Sequence, residues 1–271
     1  MKIAVAGKGG TGKTFIAGTL AWQLSRDGYT TLAIDADSAP NLGISLGLGE
    51  NEAGSIVPVS KNEDLIRAKT GTGYPGVYNL NFSVDEVVKK FSAPTPAGVS
   101  LLVMGTVTSM GAGCTCPANS VVRALLRHLI IERDEAVILD MEAGVEHLGR
   151  GTAEGVNVML VISDANKKSL AIAGTIARMA QEAGIPRVML VGNRGKDPHE
   201  ENAIRRFAEE HTIPLLGFVP FDPAVAQAGI SGTPVMDLTD TPAVLAVRDL
   251  VRQLENDFGK QQTQPDGCEP V

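Results

Sequence analysis

Aromatic residues are scarce in this 271-residue chain: seven Phe, three Tyr and the single Trp22 make up 4% of it. A module built on aromatic stacking is therefore disfavoured, and the core must come from Val, Ile, Leu and Ala. Cysteine numbers only three, two of them one residue apart, which excludes a disulfide framework and points to the cytoplasm. No apolar run approaches the roughly 20 residues needed to span a membrane, and the first residues read as a strand rather than a signal peptide. Basic residues are in the minority, 24 Lys and Arg against 31 Asp and Glu, for a formal charge of −7. Such a chain has little bulk attraction for phosphate backbones or anionic lipid, so neither nucleic acid nor membrane insertion is expected. What is abundant is apolar sequence, 44% of the residues, and glycine, 30 residues. That much apolar surface can offset the entropy of ordering, so the chain is expected to fold around a substantial core.

Short continuous apolar runs at 2–6, 31–34, 100–104, 136–140, 156–162, 187–191 and 215–219 read as strands buried on both faces. Between them lie helical patterns at 12–26, 118–133, 168–183, 200–210 and 242–258, with Gly28 and Gly184 closing two of them. This alternation predicts an α/β fold: a mostly parallel central sheet of about seven strands with helices on both faces. Residues 47–98 break the rhythm, being rich in Gly, Pro, Asn and Ser, with short helical pieces near 63–69 and 84–91. They are expected to form an excursion within one domain spanning 1–258, and the polar tail 259–271 is expected to be disordered.

Gly7-Lys8-Gly9-Gly10-Thr11-Gly12-Lys13-Thr14 matches G-x-x-x-x-G-K-[ST] between the first strand and the first helix, where a phosphate loop must sit. Backbone N–H groups of Gly9, Gly10, Thr11 and Gly12 can curl around phosphates, Lys13 supplies a point charge and Thr14 a hydroxyl for Mg²⁺. The chain thus reads as a P-loop NTPase, with the 47–98 excursion on its nucleotide face. Asp35-Ala36-Asp37 ends the second strand, where two carboxylates suit a Mg²⁺ shell or an attacking water. Asp140 ends the strand AVILD as an acid that holds a Mg²⁺-bound water, and Gly144 lets the following loop approach a γ-phosphate. Glu142, inside that loop, is given no catalytic role.

Cys114-Thr115-Cys116-Pro117 follows a glycine-rich loop and precedes a helical pattern. Pro117 suits the first helical position and makes Cys116 the N-cap, where the helix dipole favours a thiolate. Two converging thiolates repel, and a soft cation relieves that repulsion. Structural Zn²⁺ and thiolate-bound Ni²⁺ each take four ligands, which a twofold dimer supplies from two copies of Cys114 and Cys116. His128, His147, His199 and His211 are not at metal spacing with the pair, and Trp22 falls on the apolar face of the first helix.

The segment GKGGTGKT resembles the deviant Walker A loop of the MinD/ParA/nitrogenase iron-protein class. The resemblance implies that Lys8 reaches across a homodimer to the partner's nucleotide, and that Asp37 orients the hydrolytic water. Asn193, Arg194 and Pro220 match that class's adenine-contacting segments, so ATP and ADP are the implied nucleotides. Together, GKGGTGKT, DADSAPNLG, GAGCTCPAN and DMEAGVEHLGRGT resemble the CooC family of nickel-insertion accessory ATPases over nearly the whole chain to about Phe258. This implies an ATP-dependent metallochaperone whose client is carbon monoxide dehydrogenase, with Ni²⁺ or Zn²⁺ on the paired cysteines. The loop after Asp140 carries no cysteine, unlike nitrogenase-type iron proteins, although a cluster on four cysteines from the paired motif stays an alternative. A MinD/ParA-like positioning ATPase is the other.

Overall fold

The computed structural model describes residues 1–64, 84–105, 124–130, 135–142, 153 and 155–258. Seven parallel strands form where the apolar runs lie: β1 (Lys2–Gly7), β2 (Thr31–Ala36), β4 (Ser100–Val103), β5 (Ala136–Met141), β6 (Val158–Ser163), β7 (Val188–Gly195) and β8 (Leu215–Pro220). An eighth, β3 (Ala93–Pro94), pairs antiparallel with β4 and completes the order β3-β4-β2-β5-β1-β6-β7-β8. A two-residue strand has no readable period, and proline is tolerated only because β3 is an edge. Every residue of β1, β2, β5 and β6 is buried, which is why these strands read as unbroken apolar runs.

Alternation along each strand sorts side chains onto two cores. Ile3 and Val5 point to one face with Ala33, Ile138 and Leu160; Ala4 and Ala6 point to the other with Leu32, Ile34 and Leu139. The first face is covered by α1 (Lys13–Arg26) and α8 (Pro242–Phe258), the second by α5 (Lys167–Glu182). Helix α1 is buried continuously from Ile16 to Leu24, because α8 covers the side that the sheet leaves open. It begins at Lys13, one residue after the expected start, with Gly12 as its cap. Its Trp22 lies in this core at 6% exposure, with the Arg26 guanidinium 5.1 Å from the ring centre.

The stretch before β4 holds α2 (Leu42–Ser45), α3 (Glu50–Ser55), a 3₁₀ turn at Val59–Lys61 and α4 (Val84–Phe91). Leu46 and Leu48 pack into the α1 core, and Val59, Val87 and Val88 into the other. After β7 come α6 (Pro198–Glu210), then β8 and α7 (Pro223–Ser231), and a 3₁₀ turn at Val235–Leu238 leads to α8. Residues 124–130 are helical, within the expected helix 118–133. Among the described residues no helix is long and apolar enough to cross a membrane. Because β1 lies between β5 and β6, the strand order reverses beside it, and the carboxyl ends of the strands at such a reversal are where open α/β sheets hold ligands.

Candidate functional site

The loop between β1 and α1 is drawn tight around one carbonyl. Lys8 O accepts from Thr11 N at 3.3 Å, from Thr11 Oγ1 at 2.8 Å and from Lys13 Nζ at 3.4 Å. Lys13 is only 6% exposed, so its ammonium is aimed into the loop rather than at solvent. Gly9 and Gly10 are exposed on the rim, and Lys8 is half-buried. Gly12 has φ 91°, the left-handed region open to glycine, and a Cβ there would strike the Asn193 side chain. The final motif glycine therefore serves the approach of β7 as well as the turn into α1.

Three carboxylates crowd the ends of β2 and β5. Asp35 and Asp140 are register partners on these neighbouring strands, and each is 1% exposed. Asp35 Oδ1 accepts from Asp37 N at 3.1 Å, and Oδ2 from Asn41 N and Leu42 N, both at 3.0 Å. Burial raises its pKa above the usual carboxylate value, against those backbone hydrogen bonds. Asp35 thus ties down the 37–42 loop. Asp37, half-buried in that loop, accepts from Ala39 N at 3.0 Å and lines the cleft beside the phosphate loop.

Asp140 is different. Neither of its buried carboxylate oxygens has a hydrogen bond of good geometry. Burial first, then the charge of Asp35, pushes its pKa up to about 7, while the nearby Thr14 hydroxyl and Lys13 oppose that rise. A buried carboxylate without a partner is costly, and Asp140 with the nearby Thr14 hydroxyl is an oxygen donor set that would suit a hard divalent cation. Of the buried pair, Asp35 is taken up by backbone N–H groups and Asp140 keeps its acceptor capacity.

The cleft at the phosphate loop has a volume of about 620 Å³. It is lined by Gly9, Lys13 and Thr14 of the loop, by Asp37 and Asn41, and by α7 including Ile230. Helix α7 is not among the helices predicted from the sequence. Its signal was present in Asp222-Pro223: an N-cap Asp, whose Oδ1 accepts from Ala224 N at 2.9 Å, followed by Pro at the first helical position. Pro220 ends β8 opposite Gly195 and starts the turn that carries Asp222.

Asn193 and Arg194 come to the loop from β7. Asn193, 3% exposed, donates Nδ2–H to Thr11 O at 2.6 Å, and Arg194 donates Nη1–H to Gly10 O at 2.7 Å. Lys8, Gly9, Gly10, Thr11, Gly12, Lys13, Thr14, Asp35, Asp37, Asp140, Asn193 and Arg194 are thus gathered at one end of the sheet. Cys114, Cys116, Gly144 and His147 lie outside the described residues. Among the described residues no group of three or more His, Cys, Asp or Glu is placed to hold a metal ion. His199 and His211 are exposed, the latter 4.1 Å from the Phe207 ring centre.

Comparison with known proteins agrees with this geometry. The CobQ/CobB/MinD/ParA nucleotide binding domain model matches residues 2–235. The carbon monoxide dehydrogenase accessory protein CooC of Rhodospirillum rubrum is 40% identical over 243 residues, 88% of this chain and 90% of that protein. An uncharacterized ATP-binding protein of Methanocaldococcus jannaschii is also 40% identical, over 87% of this chain and 91% of its own. The septum site-determining protein MinD of Pyrococcus horikoshii, solved with Mg-ADP, superposes with a TM-score of 0.66 at 18% identity, covering 95% of this chain and 97% of its own. With a phosphate loop, a buried acid pair and a reversal of strand order at one sheet end, this chain belongs to the CobQ/CobB/MinD/ParA nucleotide-binding family and is a P-loop ATPase.

Proposed function

We propose that this chain is the ATP-dependent accessory protein that loads nickel into carbon monoxide dehydrogenase. The observation that carries the reading is the 40% identity to CooC across 90% of that protein's length. The Cys114/Cys116 pair supports it by supplying soft ligands on the same chain as an ATP site. In this account ATP lies in the cleft with its phosphates in the Gly9–Thr14 loop, and Asn193 and Pro220 belong to the adenine-contacting segments that the family resemblance implies.

Thr14 and Asp140 would hold Mg²⁺, which would neutralise phosphate charge. Lys13 holds the β- and γ-phosphates, and Asp37 orients a water whose oxygen attacks the γ-phosphorus, releasing ADP and phosphate. Lys8 reaches the partner's nucleotide in a homodimer, and the loop containing Gly144 follows the γ-phosphate. Two copies of Cys114 and Cys116 hold Ni²⁺ or Zn²⁺ as cargo between the subunits, in the cytoplasm.

Equilibrium dialysis with Ni²⁺ tests the cargo site: wild type should bind about one ion per pair of chains, and Cys114→Ala/Cys116→Ala should lose it. Equal nickel affinity in the double variant would refute the cysteine site. A broad visible absorption band after anaerobic purification would instead identify an iron–sulfur carrier.

A further inference from the structure

The pairing of β7 with β8 is interrupted at the phosphate loop. Asn193 pairs with Val219 and Gly195 with Pro220, so two steps on β7 oppose one on β8, and Arg194 is the extra residue of a bulge. Its φ is 60°, a left-handed conformation that a non-glycine residue adopts only at a cost. The bulge re-aims the side chain away from the sheet and across the sheet end, where the guanidinium meets Gly10 O at 2.7 Å. The preceding residue donates to Thr11 O at 2.6 Å.

Two successive carbonyls of the phosphate loop are therefore held from β7. A trans peptide points its N–H opposite to its C=O, so holding the Gly10 and Thr11 carbonyls turns the N–H groups of Thr11 and Gly12 the other way. Thr11 N–H does point inward, to Lys8 O. Gly12 fits the same scheme, since a Cβ there would collide with the Asn193 amide and sit 3.9 Å from Arg194 Nε.

We infer that Arg194 is a positioning residue for phosphate binding, bracing the Gly10 peptide so that the loop's N–H groups are preset, rather than a ligand of the nucleotide base. The inference rests on the ATPase reading and assigns Arg194 a different job at the same site from the adenine contact that family resemblance implies. Bracing a loop that holds phosphate equally in ground and transition states should act on KM and not on kcat. It should also act on any polyphosphate, with or without a base.

The test is calorimetric binding of Mg-ATP and of inorganic tripolyphosphate, with steady-state ATP hydrolysis, on wild type, Arg194→Ala, Arg194→Lys and Arg194→Gly. Arg194→Ala should weaken tripolyphosphate and ATP by the same factor, about fivefold for one exposed charge-assisted hydrogen bond. KM should rise by that factor with kcat within about twofold. Lysine should restore part of the loss. Glycine relaxes the left-handed backbone, so its Tm should match or exceed wild type while tripolyphosphate binding stays weak, which separates bracing from folding. Weakened ATP with unchanged tripolyphosphate would make Arg194 a base ligand and overturn the brace, as would wild-type binding of both by Arg194→Ala. A wild-type chain that bound neither ligand would overturn the ATPase reading together with the brace.

Discussion

Lys13 and Asp140 share the same buried corner, and each makes a distinct prediction. Lys13 is 6% exposed with its ammonium against Lys8 O, already at the mouth of the loop that phosphate enters. Lys13→Ala should lower kcat for ATP hydrolysis by at least about 100-fold, the scale of losing one preorganised charged donor. Unchanged turnover would remove the lysine from the reaction. For Asp140 the folded pKa of about 7 lies above the ordinary 3.8, so between these values the native state keeps a proton that the unfolded chain releases. Nucleotide-free stability in EDTA should then fall as pH rises from about 4 towards 7 and level off beyond. Asp140→Asn should flatten that slope and raise Tm near pH 8 by several degrees, while abolishing hydrolysis. Thermal melts across the pH range decide it, and an unchanged slope in the variant would assign the effect elsewhere. The motif placed both residues from sequence because strand ends are legible. That Asp35 is taken up by three backbone N–H groups while Asp140 has none was not, since it depends on where residues 37–42 fold back.

At the scale of elements, Asp222 links two helices through one carboxylate. Oδ1 caps α7 through Ala224 N, and Oδ2 accepts from Ala243 N at 3.2 Å in the first turn of α8. Asp222→Ala should cost about 2 kcal/mol in urea unfolding, one cap at each helix, and Asp222→Asn about half of that. A loss below about 0.5 kcal/mol for alanine would mean that water replaces both caps. This link shows why some of the fold was readable and some was not. Buried parallel strands announce themselves as apolar runs, and α5, α6 and α8 carry clear periodicity. By contrast α7 is short and, apart from Gln227 and Ser231, apolar, and it packs beside the phosphate loop because Asp222 and the end of β8 place it there. Edge strand β3 and helices α2 and α3 are too brief for any period, so tertiary contacts define them.

As a whole molecule, the protein keeps two apolar cores on either side of one sheet and gathers its chemistry at the carboxyl ends of the strands. Its net charge of −7 gives little bulk attraction for a phosphate backbone, so the nucleotide is held by the local donors of the loop rather than by the overall field. Sedimentation should move from 28.4 kDa to about twice that mass with Ni²⁺ or with ATP, and Cys114→Ser/Cys116→Ser should lose only the nickel response. A mass unmoved by either ligand would contradict the dimer. The most direct trial of the account is activation of nickel-free carbon monoxide dehydrogenase by this protein with Ni²⁺ and Mg-ATP. The account predicts ATP-dependent activation by wild type that is lost in both Lys13→Ala and Cys114→Ala/Cys116→Ala. Full activation by either variant, or none by the wild-type protein, would contradict it.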